Sequence, residues 1–186
     1  KTSSAAVLSG KLRKLHGEDY LEGEMLGVKF TLSPDSFCQV NEKTAERIYS
    51  DVLEIIKKSP AENVIDCFSG IGITSALFAL SGKKVTSIEI SPSAVRDAKR
   101  IGALNDLSAD ISYIRGDAAK ILTKIGNAEK SIFFVDPPRS GLGEKTALMI
   151  TGYAPREIVY LSCNPQTLKE DIKTIIENGY KIVSAT

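Results

Sequence analysis

One stretch decides the fold of this 186-residue chain: Asn63-Val64-Ile65-Asp66-Cys67-Phe68-Ser69-Gly70-Ile71-Gly72. Its apolar start predicts a strand over Asn63–Asp66, and a helix is predicted over Ile73–Leu80. The glycines between them, Gly70 and Gly72, let backbone N–H groups approach a ligand, and the N-terminus of the following helix favours negative charge. The stretch therefore predicts a strand-turn-helix unit with a ligand at the carboxyl end of the strand.

Strands and helices alternate from this stretch onward. Further strands are predicted at Lys84–Ile90, Ile111–Ile114, Ser131–Val135, Glu157–Ser162 and Tyr180–Ser184. Further helices are predicted at Pro92–Asn105, Ala118–Ile125, Gly143–Gly152 and Pro165–Asn178. Several of the strands are continuously apolar, which is typical of a parallel sheet buried on both faces. The pattern predicts a doubly wound α/β domain with a mostly parallel sheet.

The residues before this stretch follow a different pattern. Alternating apolar residues and glycines predict a short β hairpin over Tyr20–Leu32, which Ser33-Pro34-Asp35 ends. A helix with Asn41 as its N-cap follows. We therefore divide the chain into a small β-rich N-terminal extension, residues 1–32, and a main domain, residues 33–186.

The composition is that of a soluble globular protein, with 42% hydrophobic residues and a formal net charge of +1. A dedicated nucleic-acid binder usually carries a strong basic excess, so most of the electrostatic attraction to any RNA must come from elsewhere. The three cysteines lie far apart without a CxxC motif, which predicts no metal and no iron–sulfur cluster in this segment. We expect no membrane partner and a cytoplasmic location, and nothing in the sequence indicates the oligomeric state.

Two polar motifs stand at the ends of predicted strands. Asp136-Pro137-Pro138-Arg139 follows the apolar run Ile132–Val135, and Ser162-Cys163-Asn164-Pro165 follows the run Ile158–Leu161. In open α/β sheets, ligands bind outside the carboxyl ends of the strands. Both motifs should therefore face one crevice, and Cys163 brings a nucleophile to it.

Acidic residues at other strand ends indicate the ligand. Glu89 ends the second strand, where a carboxylate can bind a pair of ribose hydroxyls, and Asp117 is placed to reach an adenine. Ser75 stands where a dinucleotide fingerprint would have its third glycine. Asp136 is followed by two prolines, which make a stiff ledge because they fix the backbone. These features favour S-adenosylmethionine over NAD.

Together the motifs resemble the RNA uracil-C5 methyltransferase family, which methylates uridine in tRNA or rRNA. Four segments carry the resemblance: Ser36-Phe37-Cys38-Gln39-Val40-Asn41, Asp66-Cys67-Phe68-Ser69-Gly70-Ile71-Gly72, Asp136-Pro137-Pro138-Arg139-Ser140-Gly141 and Tyr160-Leu161-Ser162-Cys163-Asn164-Pro165-Gln166-Thr167. It implies a class I S-adenosylmethionine methyltransferase fold. The cofactor site it implies is lined by Gln39, Phe68, Ile73, Glu89, Asp117 and Asp136, beside Gly70 and Gly72.

The resemblance also implies that Cys163 is the catalytic nucleophile. Carbon 5 of uracil is a poor nucleophile, and addition of a thiolate to carbon 6 makes carbon 5 enolate-like so that it can accept a methyl group. Arg139 is a candidate cation for the thiolate or for the developing enolate oxygen, and Asn164 is a further candidate for substrate binding. We expect Cys67 to pack in the core, assign no chemistry to Cys38, and expect His16 at the surface.

The chain departs from the family pattern in two places. Family members carry a further C-terminal segment with a glutamate in a His-x-Glu type motif, which resembles the base that removes the carbon-5 proton, and a final strand between the fifth and sixth. Their N-terminal RNA-binding barrel is not recognisable here either. We therefore expect a truncated part of a longer enzyme, with the final strand missing and turnover stalled at a covalent protein–RNA adduct.

Other functions fit parts of the pattern. An amino-group methyltransferase of RNA or DNA uses an Asp- or Asn-Pro-Pro motif followed by an aromatic residue, where this chain has Arg139. A cytosine-C5 RNA methyltransferase uses a second cysteine in a different motif. A catalytically decayed module that only binds cofactor or RNA stays open, and an NAD-dependent oxidoreductase has the least support. Replacing Cys163 separates these alternatives, because amino-group transfer needs no thiol.

Overall fold

The computed structural model describes residues 13–123, 125 and 130–186. The strands in this part of the chain are β1 (Leu21–Met25), β2 (Val28–Leu32), β3 (Asn63–Cys67), β4 (Lys84–Glu89), β5 (Ile111–Arg115), β6 (Ser131–Val135) and β7 (Glu157–Tyr160). The helices are α1 (Glu42–Lys58), α2 (Ile73–Leu80), α3 (Pro92–Leu104), α4 (Ala118–Leu122), α5 (Glu144–Gly152) and α6 (Pro165–Glu177). None of these helices is long and apolar enough to cross a bilayer.

The main sheet has five parallel strands in the order β5-β4-β3-β6-β7. From β3 the chain builds outward through β4 to β5, and it then returns to the other side of β3 to add β6 and β7. The strand order therefore reverses between β3 and β6, and ligands bind at the carboxyl ends beside such a reversal. The predicted doubly wound α/β fold is confirmed.

The core lies on both faces of this sheet. On one face Val64 and Phe134 pack against α2, where the rings of Phe78 and Phe134 meet edge to face with centroids 5.3 Å apart. On the other face Ile65 and Phe133 belong to a second buried cluster. All five residues of β6 are buried, which explains why its sequence is continuously apolar.

The predicted hairpin forms, and it packs against the helices that cover one face of the main sheet. Leu26 and Gly27 make its turn with φ of 51° and 83°, as a two-residue hairpin turn requires. Met25 and Val28 are buried in the same cluster as the main domain. The Lys29 N–H donates to Oδ1 of Asn105 at the end of α3, at 3.0 Å. This contact fixes the hairpin relative to α3.

The prediction of a strand at Tyr180–Ser184 is wrong. This segment has no strand partner in the described part of the chain, and residues 181–186 are exposed. Within it, Tyr180 donates its hydroxyl to the Pro155 carbonyl at 2.8 Å and its backbone N–H to the Ile175 carbonyl at 3.4 Å. The apolar residues of this segment cannot make a strand alone, because strand hydrogen bonds need a neighbour. The helix predicted at Ala118–Ile125 ends at Leu122, and Lys124 lies outside the described residues.

Candidate active site

The turn between β3 and α2 has an unusual backbone. Phe68, Gly70 and Gly72 adopt positive φ angles of 63°, 54° and 85°. Gly72 occupies the N-cap position of α2, and a Cβ there would lie 2.8 Å from Cβ of Ala98. The missing side chain therefore lets the turn pack against α3. Ile73 begins α2 and is buried in the core, so its predicted contact with a cofactor stays a prediction.

Glu89 is held in place by two backbone donors. Its Oε2 accepts from the Gly70 N–H at 3.0 Å, and its Oε1 accepts from the Ser91 N–H at 2.7 Å. Ser91 is the N-cap of α3, so the carboxylate joins the glycine turn to the start of that helix. A rigid carboxylate at a strand end is suited to accept hydrogen bonds from a pair of hydroxyl groups.

A cavity of about 60 Å³ adjoins this carboxylate. Its lining residues are Phe68, Ile88, Glu89, Ile90, Gly116, Asp117 and Ala118. The structure thus brings together the predicted residues Phe68, Glu89 and Asp117, from three different loops. Asp117 is the N-cap of α4 and accepts from the Ala119 N–H at 3.0 Å. Apolar walls with carboxylates at the rim fit a flat heterocycle with a polar edge.

Two carboxyl groups with raised pKa values lie where β3 and β6 end. Asp66 is fully buried, and its Oδ2 accepts from the hydroxyls of Thr74 and Ser75 at 2.8 and 2.6 Å. Its Oδ1 is buried without a partner among the described residues. Burial raises the pKa of Asp66 to about 7 and the pKa of Asp136 to about 6. A buried oxygen without a partner favours a ligand that donates a hydrogen bond.

Tyr49 of α1 is a site residue that the sequence patterns did not indicate. Burial, and then the negative charge of Asp136, raise the pKa of Tyr49 far above its usual range. A hydrogen bond from the Gln39 side chain opposes this rise. Tyr49 therefore links the loop that carries the predicted residue Gln39 to the carboxyl end of β6. Its position fits the apolar periodicity of α1, so the sequence suggested only a core residue.

Cys163 is exposed and lies directly beyond the carboxyl end of β7. Val135 of β6 pairs with Tyr160 of β7, and the Leu161 N–H extends this pairing to the Val135 carbonyl at 2.9 Å. Asp136 and Cys163 therefore follow the ends of two adjacent strands. The thiol and the carboxylate that the sequence predicted for one crevice lie at the same edge of the sheet.

The motifs that carry Arg139 and Cys163 are joined by hydrogen bonds. The carbonyl of Arg139 accepts from Nδ2 of Asn164 at 2.9 Å and from Oγ1 of Thr167 at 3.2 Å. Asn164 also caps α6, because its Oδ1 accepts from the Gln166 N–H at 3.1 Å. The Arg139 side chain is exposed. The structure therefore keeps the two motifs in a fixed mutual position and leaves the side chains of Arg139 and Cys163 exposed.

The other two cysteines differ from Cys163. Cys67 is fully buried at the end of β3, as predicted, and burial raises the pKa of its thiol well above the usual range. Cys38 is half-buried, and burial also raises the pKa of its thiol. Both are therefore held as neutral thiols, which are poor nucleophiles. His16 is exposed, as expected.

A larger open depression of about 690 Å³ runs along α6 on the outer side of the loop at 140–143. Four carboxylate residues are among its lining: Glu144, Glu170, Asp171 and Glu177. The lining also includes Lys173 and Asn164, so the depression adjoins the motif that carries Cys163. The cavity beside Glu89 is smaller, but it alone of the two contacts residues of the glycine turn.

Known proteins with similar sequences are RNA methyltransferases. An uncharacterized RNA methyltransferase of Clostridium tetani is 38% identical over 179 residues, which is 96% of this chain and 39% of the relative. One from Caldanaerobacter subterraneus is 39% identical over 179 residues, again 96% of this chain and 39% of the relative. The chain thus spans about two fifths of the length of these curated relatives.

Solved structures share the fold. The tRNA (uracil-54, C5)-methyltransferase of Pyrococcus abyssi, in complex with S-adenosyl-L-homocysteine, superposes with a TM-score of 0.81 at 26% identity. The superposition covers 99% of this chain and 44% of that one. A SAM-dependent methyltransferase of Agrobacterium tumefaciens has a TM-score of 0.67 at 19% identity, covering 89% of this chain and 61% of that one. The second likeness concerns the fold alone.

The family profile covers most of the chain. The profile described as tRNA (uracil-5-)-methyltransferase matches residues 18–185, a range that holds the glycine turn, both strand-end motifs and the exposed thiol. The resemblance found in the sequence motifs is thereby confirmed. The chain belongs to the tRNA (uracil-5-)-methyltransferase family.

Proposed function

We propose that this domain binds S-adenosylmethionine and methylates carbon 5 of a uridine in tRNA or rRNA through a covalent bond between Cys163 and carbon 6. The observation that carries the proposal is that an exposed thiol and Asp136 follow the carboxyl ends of two adjacent parallel strands. Such an edge is where open α/β sheets bind their ligands. An RNA-modifying role also fits the cytoplasmic location that we expect.

The residues around the glycine turn fit the parts of this cofactor. Glu89 would accept the ribose hydroxyls, and Phe68 and Asp117 would enclose the adenine in the cavity of about 60 Å³. The unpartnered Oδ1 of Asp66 and the nearby Asp136 would accept hydrogen bonds from the ammonium group of the methionine part. Gln39 and Tyr49 would close the site from the side of α1. When bound, the cofactor supplies an electrophilic methyl group.

Cys163 would add as a thiolate to carbon 6 of the uracil ring, forming a carbon–sulfur bond. The electron pair displaced from the double bond between carbons 5 and 6 moves to form an enolate, and carbon 5 becomes nucleophilic. Arg139, on the loop bonded to Asn164, would stabilise the negative charge on the enolate oxygen. The target uridine must first leave its stack to reach the thiol.

Release of the product needs a second group. A base must take the proton from carbon 5, and the electron pair of that carbon–hydrogen bond then restores the double bond and expels the Cys163 thiolate. The resemblance assigns this task to a glutamate in a C-terminal His-x-Glu motif.

The target RNA follows from the family at the level of its class. The Pyrococcus abyssi protein is described as acting on uracil 54 of tRNA, and we extend to this chain only a uridine in tRNA or rRNA. Sequence-specific RNA recognition favours single-stranded loops, whose bases can be splayed out. A net charge of +1 predicts weak binding by this domain alone.

A covalent trap tests the proposal. RNA with 5-fluorouridine at the target position cannot lose a proton from carbon 5, so the enzyme should remain attached to it through Cys163 when S-adenosylmethionine is present. The adduct would be detected on a denaturing gel and located by mass spectrometry of the Cys163 peptide. Cys163→Ala should abolish it, and the matched variant Cys38→Ala should retain it. Methylation that persists in Cys163→Ala would overturn the proposal in favour of amino-group transfer.

A further inference from the structure

Asp171 of α6 is a buried carboxylate that none of the predicted motif roles uses. It is 4% exposed. Its Oδ2 accepts from the Leu142 N–H and from the Tyr160 hydroxyl, both at 2.7 Å, and its Oδ1 accepts from the Gly143 N–H at 3.0 Å. Charge-assisted hydrogen bonds of this kind are short and strong. One carboxylate thus joins the loop at 139–143, the end of β7 and the helix α6.

Tyr160 connects this carboxylate to the thiol. It is the last residue of β7, three positions before Cys163. Burial first, and then the hydrogen bond and charge of Asp171, raise the pKa of Tyr160 far above its usual range, and Cys163 adds to the rise. Tyr160 therefore stays protonated and donates to Asp171, which ties the end of β7 to α6 three residues before the thiol.

The loop at 139–143 fits closely against α6. Gly141 has a φ of +76°, and a Cβ there would lie 2.5 Å from Oδ2 of Asp171 and 3.0 Å from Cβ of Thr167. At the other end of the loop, the Arg139 carbonyl is bound by Asn164 and by Thr167. The loop is therefore fixed at both of its ends to the helix that begins immediately after the thiol.

We propose that Asp171 is a positioning residue for the thiol chemistry. It holds the Arg139 loop and the end of β7 in one frame, so that Arg139 and Cys163 reach the same pyrimidine ring. Asp171 is buried beneath the loop, so it would act without contacting the RNA or the cofactor. This inference rests on the proposed role of Cys163, and it adds a residue that acts through the loop and through Tyr160.

The test compares adduct formation with cofactor binding. In Asp171→Ala, the rate of adduct formation with 5-fluorouridine RNA at saturating S-adenosylmethionine should fall at least about tenfold, because a loop freed from its anchor lowers the share of productive geometry. The affinity for S-adenosylhomocysteine should stay within about twofold, since the glycine turn is untouched. Asp171→Asn should recover part of the rate because its amide oxygen still accepts a loop N–H, and Tyr160→Phe should lose about two- to fivefold.

Asp97 offers a matched control. It is also a fully buried carboxylate that anchors a loop, because it accepts from the Ser33 N–H at 3.0 Å and from the Ser33 hydroxyl at 2.7 Å. Asp97→Asn should lower the midpoint of urea unfolding as Asp171→Asn does, yet keep the parent rate of adduct formation at saturating cofactor. A loss of rate that merely follows the loss of stability in both variants would overturn the positioning role.

Two further outcomes are decisive. If Asp171→Ala forms the adduct at the parent rate, or loses cofactor affinity and adduct rate in equal proportion, the inference is wrong. If the parent binds S-adenosylhomocysteine but forms no adduct, the proposed function fails by itself. Amide hydrogen exchange then still tests whether Asp171 anchors the loop. In Asp171→Ala, exchange at Leu142 and Gly143 should accelerate at least tenfold while exchange at Gly70 stays unchanged. Equal exchange rates in the parent and in Asp171→Ala would refute the anchoring role.

Discussion

The carboxyl edge of the main sheet has two halves, which are held in place by different means. The half around β3 and β4, which we call the cofactor half, depends on the backbone. Gly70 and Gly72 have positive φ angles, and two backbone N–H groups bind the carboxylate of Glu89. The half around β6 and β7, which we call the thiol half, depends on side chains, because those of Asn164 and Asp171 hold its loops. Substitutions should therefore affect cofactor binding and thiol chemistry separately.

The two halves also differ in how deeply their strands are buried. Strand β3 is buried along its last four residues, whereas all four residues of β7 are only half-buried. A central strand with neighbours on both sides is fixed by the sheet itself, while a strand at the edge has one neighbour and more freedom. The thiol half needs its polar anchors for this reason.

The largest expected effect breaks only the thiol half. Cys163→Ala should lower the rate of uridine methylation by about 10⁴-fold or more, since no other nucleophile replaces the thiolate. The affinity for S-adenosylhomocysteine, measured by titration calorimetry, should change less than twofold because Cys163 is exposed and outside the cavity at Glu89. A strong loss of cofactor affinity in this variant would show that the two halves form one site.

The pH dependence of the free energy of unfolding should reveal the buried carboxyl group of Asp66 in the cofactor half. Burial raises the pKa of Asp66 from 3.8 to about 7, so the folded state favours the neutral acid. Its contribution to stability is complete below pH 4 and is lost as the pH rises through 7, by about 4 kcal/mol at most. Urea unfolding from pH 4 to pH 8 should show a falling free energy, and Asp66→Asn should flatten much of this decline.

Asp136 and the thiol half supply the controls for this experiment. The pKa of Asp136 is raised to about 6, so a smaller decline should remain in Asp66→Asn. Asn164→Ala should keep the slope of the parent, because it alters no carboxyl group. The cofactor affinity of Asp66→Asn should fall about tenfold or more with the loss of a charge-assisted hydrogen bond to the ammonium. An Asp66→Asn slope equal to that of the parent would contradict the assignment.

Gly72→Ala tests the backbone of the glycine turn. A side chain at φ +85° costs about 1–2 kcal/mol, and its Cβ would lie 2.8 Å from Cβ of Ala98. The overlap adds about 1–3 kcal/mol. Urea unfolding should therefore show a loss of about 3 kcal/mol, and the displaced turn should lower cofactor affinity at least about tenfold.

Gly82→Ala is the matched control for this turn. Gly82 has nearly the same φ, +87°, but nothing lies within 4 Å of a Cβ placed there. The variant should lose only the backbone contribution of about 1–2 kcal/mol and keep the cofactor affinity of the parent. Equal losses of stability in the two glycine variants would mean that the approach of the turn to α3 contributes nothing.

The sequence patterns indicated more of the residues around β3 and β4 than of the polar anchors around β6 and β7. Local patterns sufficed for the glycine turn, for Glu89 and for Asp117, because each is tied to a strand end that periodicity reveals. The same rule located Cys163. Asp171 escaped, since a single carboxylate on an amphipathic helix is indistinguishable in sequence from a solvent-exposed one. Its partners Leu142 and Tyr160 are brought near only by the tertiary fold.

Two further differences have similar physical causes. Tyr49 occurs at a core position of α1, and only burial beside Asp136 gives its hydroxyl a place in the site. The apolar run at Tyr180–Ser184 predicted a strand, but an extended segment becomes a strand only where a neighbour supplies hydrogen bonds. Periodicity reports which side of an element is apolar, and it does not report which partner that side meets.

The smallest expected effects compare two helix caps, one in each half. Ser91 caps α3 beside Glu89, with its hydroxyl accepting from the Ala94 N–H at 3.4 Å, and Asn164 caps α6 beside Cys163. Replacing either residue by alanine should lower the free energy of urea unfolding by about 1 kcal/mol.

The functional losses of the two cap variants should differ. Ser91→Ala should weaken S-adenosylhomocysteine binding about threefold and keep the rate of adduct formation at saturating cofactor. Asn164→Ala should slow adduct formation about tenfold and keep the affinity, because it also releases the Arg139 carbonyl. If both variants lost affinity and rate alike, cofactor binding and thiol chemistry could not be separated, and the distinction between a backbone-built and a side-chain-built half would have no functional meaning.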